Sequence, residues 1–157
     1  MILETIQSPA DLRRLSLTEL QSLAAELRER ITAVVSRSGG HLASNLGVVE
    51  LTLALHRVYD FASDHLVFDV GHQCYAHKLL TGRAAQFDTL RQEGGLSGYP
   101  NRQESPYDSF TTGHAGASIS TALGLALADK MAGRARRTVA VIGDGALGCG
   151  LALEGLN

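Results

Sequence analysis

Two short apolar runs, each stopped by a glycine, constrain the fold of this chain more than any other feature. His65 to Val70 (HLVFDV) ends at Gly71, and Thr138 to Ile142 (TVAVI) ends at Gly143. Runs this short, β-branched and without polar alternation suit strands buried on both faces of a parallel sheet. Helical spacing fills the intervals. Over Ser16 to Ser36, Leu20, Leu23, Leu27, Ile31 and Val34 recur at helical steps, Ser16 and Glu19 form a capping box, and Leu15 with Leu20 can close a hydrophobic staple. A second helix is expected from about Gly47 to Tyr59, with Leu51, Leu55 and Val58 facing inward. A third, made of small residues, is expected over Ala117 to Met131 and closed by Gly133. Helices alternating with buried strands predict an α/β fold, a parallel sheet flanked by helices. The 157 residues suit one domain, 1–157, large enough to bury about 68–70% of its unfolded surface.

Composition removes several classes of function. The net charge is −2 and no Lys/Arg run marks a nucleic-acid footprint. Arg134, Arg136 and Arg137 cluster between a helix and a strand, where a solvated basic turn is expected. No apolar stretch approaches the 18 or more residues of a membrane span, and the start of the chain lacks a basic-then-apolar signal pattern, so a cytoplasmic protein is expected. Cys74 and Cys149 lie too far apart in sequence for a metal knuckle and suggest no disulfide framework. Glu93 to Thr112 is rich in Gly, Pro, Ser and Asn and shows no periodicity. A loop of that length inside a compact domain is usually functional or disordered.

The 17 glycines are gathered in clusters, and clustered glycine marks places where backbone turns tightly or approaches something closely. The second strand runs directly into Gly143-Asp144-Gly145-Ala146-Leu147-Gly148, formally the G-x-G-x-x-G of a dinucleotide fold. Asp144 argues against a dinucleotide. Two like charges about 4 Å apart repel by about 4 kcal/mol at an effective dielectric near 20. A divalent cation reverses the sign, and Mg²⁺ is typically held by one or two carboxylates plus substrate phosphates. Flanking glycines would let backbone approach a diphosphate, and the following helix would present its N-terminus to the anion. An ordinary tight strand-to-helix turn would give the same three letters.

Three of the six histidines sit beside glycine, in Gly40-His41, Gly71-His72 and Gly113-His114. Ligand sites of open α/β sheets form beyond the carboxyl ends of the strands, where an imidazole can donate to phosphate or move a proton near neutral pH. His56, inside a helical pattern, and His65, opening a strand, are assigned to structure. Asp69, His72 and His77 lie close in sequence, but the five-residue step between the histidines departs from zinc spacing. No G-x-S-x-G elbow follows either strand.

Five segments taken together resemble the 1-deoxy-D-xylulose-5-phosphate synthase family in order and spacing. They are SRSGGHLASNLGVVELTLALH (Ser36 to His56), FDVGHQCYAHKLLTGR (Phe68 to Arg83), GGLSGYPNRQESPYDSF (Gly94 to Phe110), TTGHAGASIS (Thr111 to Ser120) and VIGDGALGCGLALEGLN (Val141 to Asn157). The similarity runs from about Asp11 onward. The GHQ-x-Y-x-H-K and SRS-x-GH-x-AS-x-LG blocks are far more specific than G-D-G and separate the family from ordinary transketolases.

The resemblance implies a thiamine-diphosphate-dependent transferase that condenses pyruvate with D-glyceraldehyde 3-phosphate, feeding isoprenoid precursor and thiamine biosynthesis, and acting as a homodimer. Asp144 would ligate Mg²⁺, with Gly145 and Ala146 against the diphosphate. His72 and the Gly113-His114-Ala115 turn would contact the cofactor. His41 would serve near the reacting carbon in proton transfer or substrate orientation. Ala115 stands where the family commonly has Ser, so a backbone contact alone carries over there, and Gly39 replaces a usual Ser. The family's second metal residue, an Asn some 25–30 residues after the G-D-G, has no counterpart, because Asn157 comes too early. The helical pattern after Ala146 is still running at Asn157. The expectation is therefore a truncated diphosphate-binding domain, without the later pyrimidine-binding and C-terminal domains and inactive alone. A transketolase-like subunit working with a partner chain and a non-catalytic fragment remain the alternatives.

Overall fold

A computed structural model describes all 157 residues, which form two compact units: Met1–Asp60 with His72–Gly98, and Phe61–Gly71 with Tyr99–Asn157.

The first unit is helical. Its long helix α1 spans Leu17–Ser38 and begins at the predicted capping box, where Ser16 Oγ accepts the Glu19 N–H at 3.3 Å and the Glu19 carboxylate accepts the Ser16 N–H at 2.7 Å. Leu23, Leu27, Ile31 and Val34 are buried along one stripe, as their spacing requires. The helix ends at Gly39, whose φ of +72° is a conformation glycine adopts without penalty. Two 3₁₀ turns, Leu3–Thr5 and Pro9–Arg14, precede α1, and Glu26 ties the first to it by accepting the N–H groups of Ile2 and Leu3 at 2.9 and 2.8 Å.

Short helix α2 (Leu42–Leu46) leads into α3 (Val49–Val58). The inner face of α3 differs from the expected one. Val49, Thr52, Leu53 and His56 are buried, whereas Leu51 and Val58 are 47% and 67% exposed. Both stripes have helical spacing. The stripe containing His56 faces inward because that imidazole finds a partner in His77, so a residue counted as polar behaves as core. Helix α4 (Tyr75–Lys78) continues into a turn over Leu79–Arg83, broken at Thr81 and Gly82, and a 3₁₀ turn over Ala84–Thr89. Phe87 from that turn packs edge-on against Tyr75, with ring centroids 6.1 Å apart.

The second unit holds the sheet. Strands β1 (His65–Phe68) and β2 (Thr138–Val141) are parallel, paired from His65 with Thr138 to Phe68 with Val141. The ladder runs one residue past each end, through His65 N–H to Arg137 C=O and Asp69 N–H to Val141 C=O. Leu66, Val67 and Phe68 are buried, but β2 is half-buried throughout. Its apolar character alone suggested full burial. In this chain it has one ladder partner, β1, which leaves its other side open. Helix α5 (Ser118–Met131) packs on both strands and on α7 (Gly150–Leu156). The predicted basic turn is not simply solvated, since Arg134 and Arg136 lie 3.6 and 3.8 Å from the buried Asp129 carboxylate, which also receives His65 Nε2 at 2.8 Å. No helix is long and apolar enough to cross a membrane.

Candidate cofactor site

In the sheet unit the carboxyl ends of both strands are organised by Asp69. Its N–H donates to Val141 C=O at 2.7 Å, and its carboxylate accepts the N–H of Gly116 at 2.8 Å and of Ser118 at 3.0 Å. One residue thus ties the end of β2, which leads into Gly143-Asp144-Gly145, to the turn that carries Gly113, His114 and Ala115. The chain after Asp69 is tightly bent. Gly71 N–H returns to Asp69 C=O at 2.6 Å across Val70, a β-branched residue held at φ +58°. Such a conformation costs of order 1–3 kcal/mol and persists where surrounding contacts enforce it. Immediately before the bend, Asp69 is anchored by its bonds to Gly116, Ser118 and Val141.

Two kinds of glycine stand near these strand ends. Gly71 (φ +91°) and Gly116 (φ +83°) are demanded by the fold, because an added Cβ would collide with Pro100 at the first and with the Cys149 thiol at the second. Gly113, Gly143 and Gly145 have neither a positive φ nor any atom within 4 Å of where a Cβ would stand. Folding of this chain therefore does not require glycine at those three positions. Open space beside bare backbone is what close approach of a ligand needs.

Asp144 is exposed at the tip of β2, as are Gly113, His114, Ala115 and Gly145, while Ala146 is half-buried. The helix expected here is one turn long, α6 (Asp144–Leu147), and Gly148 interrupts it before α7. Its contribution to anion binding is correspondingly smaller than a continuous helix would give. Gly143 C=O accepts the N–H of Ala146 at 3.1 Å and of Leu147 at 3.0 Å, so the amides of Asp144 and Gly145 are the ones outside the helical ladder. No group of three or more His, Cys, Asp or Glu side chains is arranged to hold a metal ion. A single carboxylate fits Mg²⁺ better than a metal held wholly by side chains, since Mg²⁺ takes phosphate oxygens and water for its remaining positions.

In the helical unit His41 and His72 come together, with ring centroids 5.1 Å apart and planes at 62°. His41 is exposed and His72 half-buried. Asn45, fully buried, sits behind the pair and bonds the backbone of both. Sequence reasoning missed Asn45 and weighed Asp69 only within the rejected zinc pattern. A carboxylate inside the apolar run HLVFDV was the available signal for Asp69. Asn45 had a weaker one, an amide on the inward side of α2. His56 and His77, assigned to structure and to a rejected zinc pattern, form a buried pair with Nε2 of one 2.9 Å from Nδ1 of the other. Burial, then the neighbouring His77 and Arg83 charges, hold the His56 pKa well below the usual imidazole value. Both cysteines are free thiols, Cys74 buried and Cys149 half-buried.

The family model described as 1-deoxy-D-xylulose-5-phosphate synthase matches residues 3–157. Proteins named 1-deoxy-D-xylulose-5-phosphate synthase are similar over nearly all of the chain. The one from Desulforudis audaxviator is 62% identical over 156 residues, which is 99% of this chain and 25% of that protein. The one from Dechloromonas aromatica is 59% identical over the same shares of both chains. The one from Dictyoglomus thermophilum is 59% identical over 157 residues, 100% of this chain and 25% of the relative. The chain thus spans about a quarter of the length of these relatives, and it belongs to the 1-deoxy-D-xylulose-5-phosphate synthase family.

Proposed function

We propose that this chain supplies the diphosphate- and metal-binding part of a 1-deoxy-D-xylulose-5-phosphate synthase. The observation that carries the reading is the position of Asp69. It fixes the end of β2, and with it the approach to Asp144, in the same unit as the Gly113-His114-Ala115 turn. In this reading Asp144 holds Mg²⁺, which neutralises the diphosphate of thiamine diphosphate. Gly145 and the exposed Gly113-His114-Ala115 turn offer backbone to the phosphate oxygens, with open space beside both glycines, and Ala146, whose N–H is taken by Gly143 C=O, stands next to them against the diphosphate. Ala115 brings no hydroxyl, so that turn binds through its main chain.

When bound, thiamine diphosphate supplies the electron sink for decarboxylating pyruvate and joining the remaining two carbons to D-glyceraldehyde 3-phosphate. The protein's share is to bind, orient and manage protons. His72 contacts the cofactor, and His41 orients substrate or moves a proton beside it. An imidazole ring carries nitrogens that can donate or accept a hydrogen bond, which suits either task. The whole enzyme would be a cytoplasmic homodimer acting on these two small molecules.

Isothermal calorimetry of the chain with thiamine diphosphate, in Mg²⁺ and again in EDTA, tests the reading against NAD⁺ in parallel. Cation-dependent heat with thiamine diphosphate and none with NAD⁺ is expected. Heat with NAD⁺ that is indifferent to Mg²⁺ would replace this reading with a dinucleotide fold.

A further inference from the structure

We propose that Asn45 is the positioning residue that sets His41 against His72. The inference rests on the assignment of those two histidines to cofactor and substrate.

His41 follows two glycines, Gly39 at φ +72° and Gly40 at φ +141°. Such a lead-in fixes nothing by itself, because glycine is the most conformationally permissive residue. His72 belongs to a segment 31 residues further along, just ahead of α4. Neither α2 nor α4 has a side-chain cap from its own N-terminal residue, His41 and Cys74 respectively. Something must hold both segments if their imidazoles are to keep one geometry.

Asn45 does this with three bonds. Its side-chain Nδ2 donates to His41 C=O at 2.6 Å and to His72 C=O at 2.8 Å, and its Oδ1 accepts the Tyr75 N–H at 2.8 Å. Two carbonyls facing one end of the amide and an N–H facing the other fix which end is nitrogen. The Asn45 side chain is 0% exposed, so the amide itself is shielded from water. It also stands in for the missing cap of α4 by taking the N–H of that helix's first residue. Tyr75 in turn lies against the glycine lead-in, since a Cβ on Gly40 would come within 2.8 Å of its hydroxyl. Asn45 thus links directly the two backbones that carry the imidazoles.

No other common side chain of this size does the same. Aspartate would keep the Tyr75 bond but set a carboxylate against two carbonyl oxygens. Alanine would remove all three bonds, two to part-buried carbonyls and one to a buried N–H, each costly to lose.

The test is solution NMR on the whole chain and on its Asn45→Asp and Asn45→Ala variants. The readout is the cross-relaxation peak between the ring protons of His41 and His72. The corresponding peak between His56 and His77, whose ring centroids are also 5.1 Å apart in the same unit, is the internal reference for folding. At pH 7.5 the Asn45→Asp chain should lose the His41–His72 peak and keep the reference. Acidification that protonates the new carboxyl gives back one O–H donor, and the lost peak should partly return. Asn45→Ala should lose the peak without any return in acid, and if it fails to fold the aspartate variant decides. Persistence of the His41–His72 peak at parental intensity in Asn45→Asp overturns the proposal. So does loss of both peaks in that variant, which would make Asn45 a general fold residue. If thiamine diphosphate leaves the His41 and His72 resonances of the parent unmoved, their functional assignment fails while the positioning result stands.

Discussion

His56 Nε2 lies 2.9 Å from His77 Nδ1 in the buried interior of the helical unit, so one imidazole donates and the other accepts. Because the folded-state pKa of His56 is depressed, the unfolded chain binds its proton first as pH falls. The stability this group contributes is complete above about pH 6.5 and is lost on acidification toward the folded-state value. Below about pH 6.5 the unit should lose up to about 1.4 kcal/mol per pH unit for the one proton. Urea midpoints measured between pH 8 and 5 check this, and His56→Gln should flatten the profile.

Asp69 should matter to stability beyond its size. Its carboxylate accepts two buried N–H groups, and hydrogen bonds to charged groups contribute about 1.5–3 kcal/mol. Asp69→Asn keeps one acceptor but turns an NH₂ toward the second donor. The variant should unfold at lower urea, with a loss of about 2 kcal/mol, and thiamine diphosphate heat should fall with it. An unchanged midpoint would show that the turn holds itself.

The two kinds of glycine should respond oppositely to alanine. Gly71→Ala must place a Cβ into Pro100 at φ +91°, and Gly116→Ala must place one into the Cys149 thiol at φ +83°. Each should cost more than about 1 kcal/mol. Cys149→Ala should recover part of the second loss but none of the first. Gly113→Ala meets nothing within 4 Å, so its effect on the thermal midpoint should be small while thiamine diphosphate binding weakens.

Much of this fold was legible because its code is local. Helix α1 announces itself through Ser16, Glu19 and a leucine stripe, all within a few turns of one another. The parallel strands were legible from their β-branched runs and the glycines that end them. What escaped depends on partners distant in sequence. The inner face of α3 turns on His56 meeting His77, and the half-burial of β2 turns on how many strands flank it, which the letters TVAVI do not encode. The site shows the same division. Asp144 is conspicuous between its glycines. Asn45 reaches 27 residues to His72 and Asp69 reaches 47 to Gly116, and neither distance leaves a local mark.

The central claim is that the Asp144 carboxylate holds the cation that neutralises a bound diphosphate. Mn²⁺ in place of Mg²⁺ makes that cation visible, because it broadens the amide resonances nearest to it. With thiamine diphosphate present, Mn²⁺ should selectively broaden Asp144, Gly145 and Ala146, and Asp144→Ala should abolish the effect. Equal broadening of those amides in Asp144→Ala, or broadening centred elsewhere in the parent chain, would contradict the account.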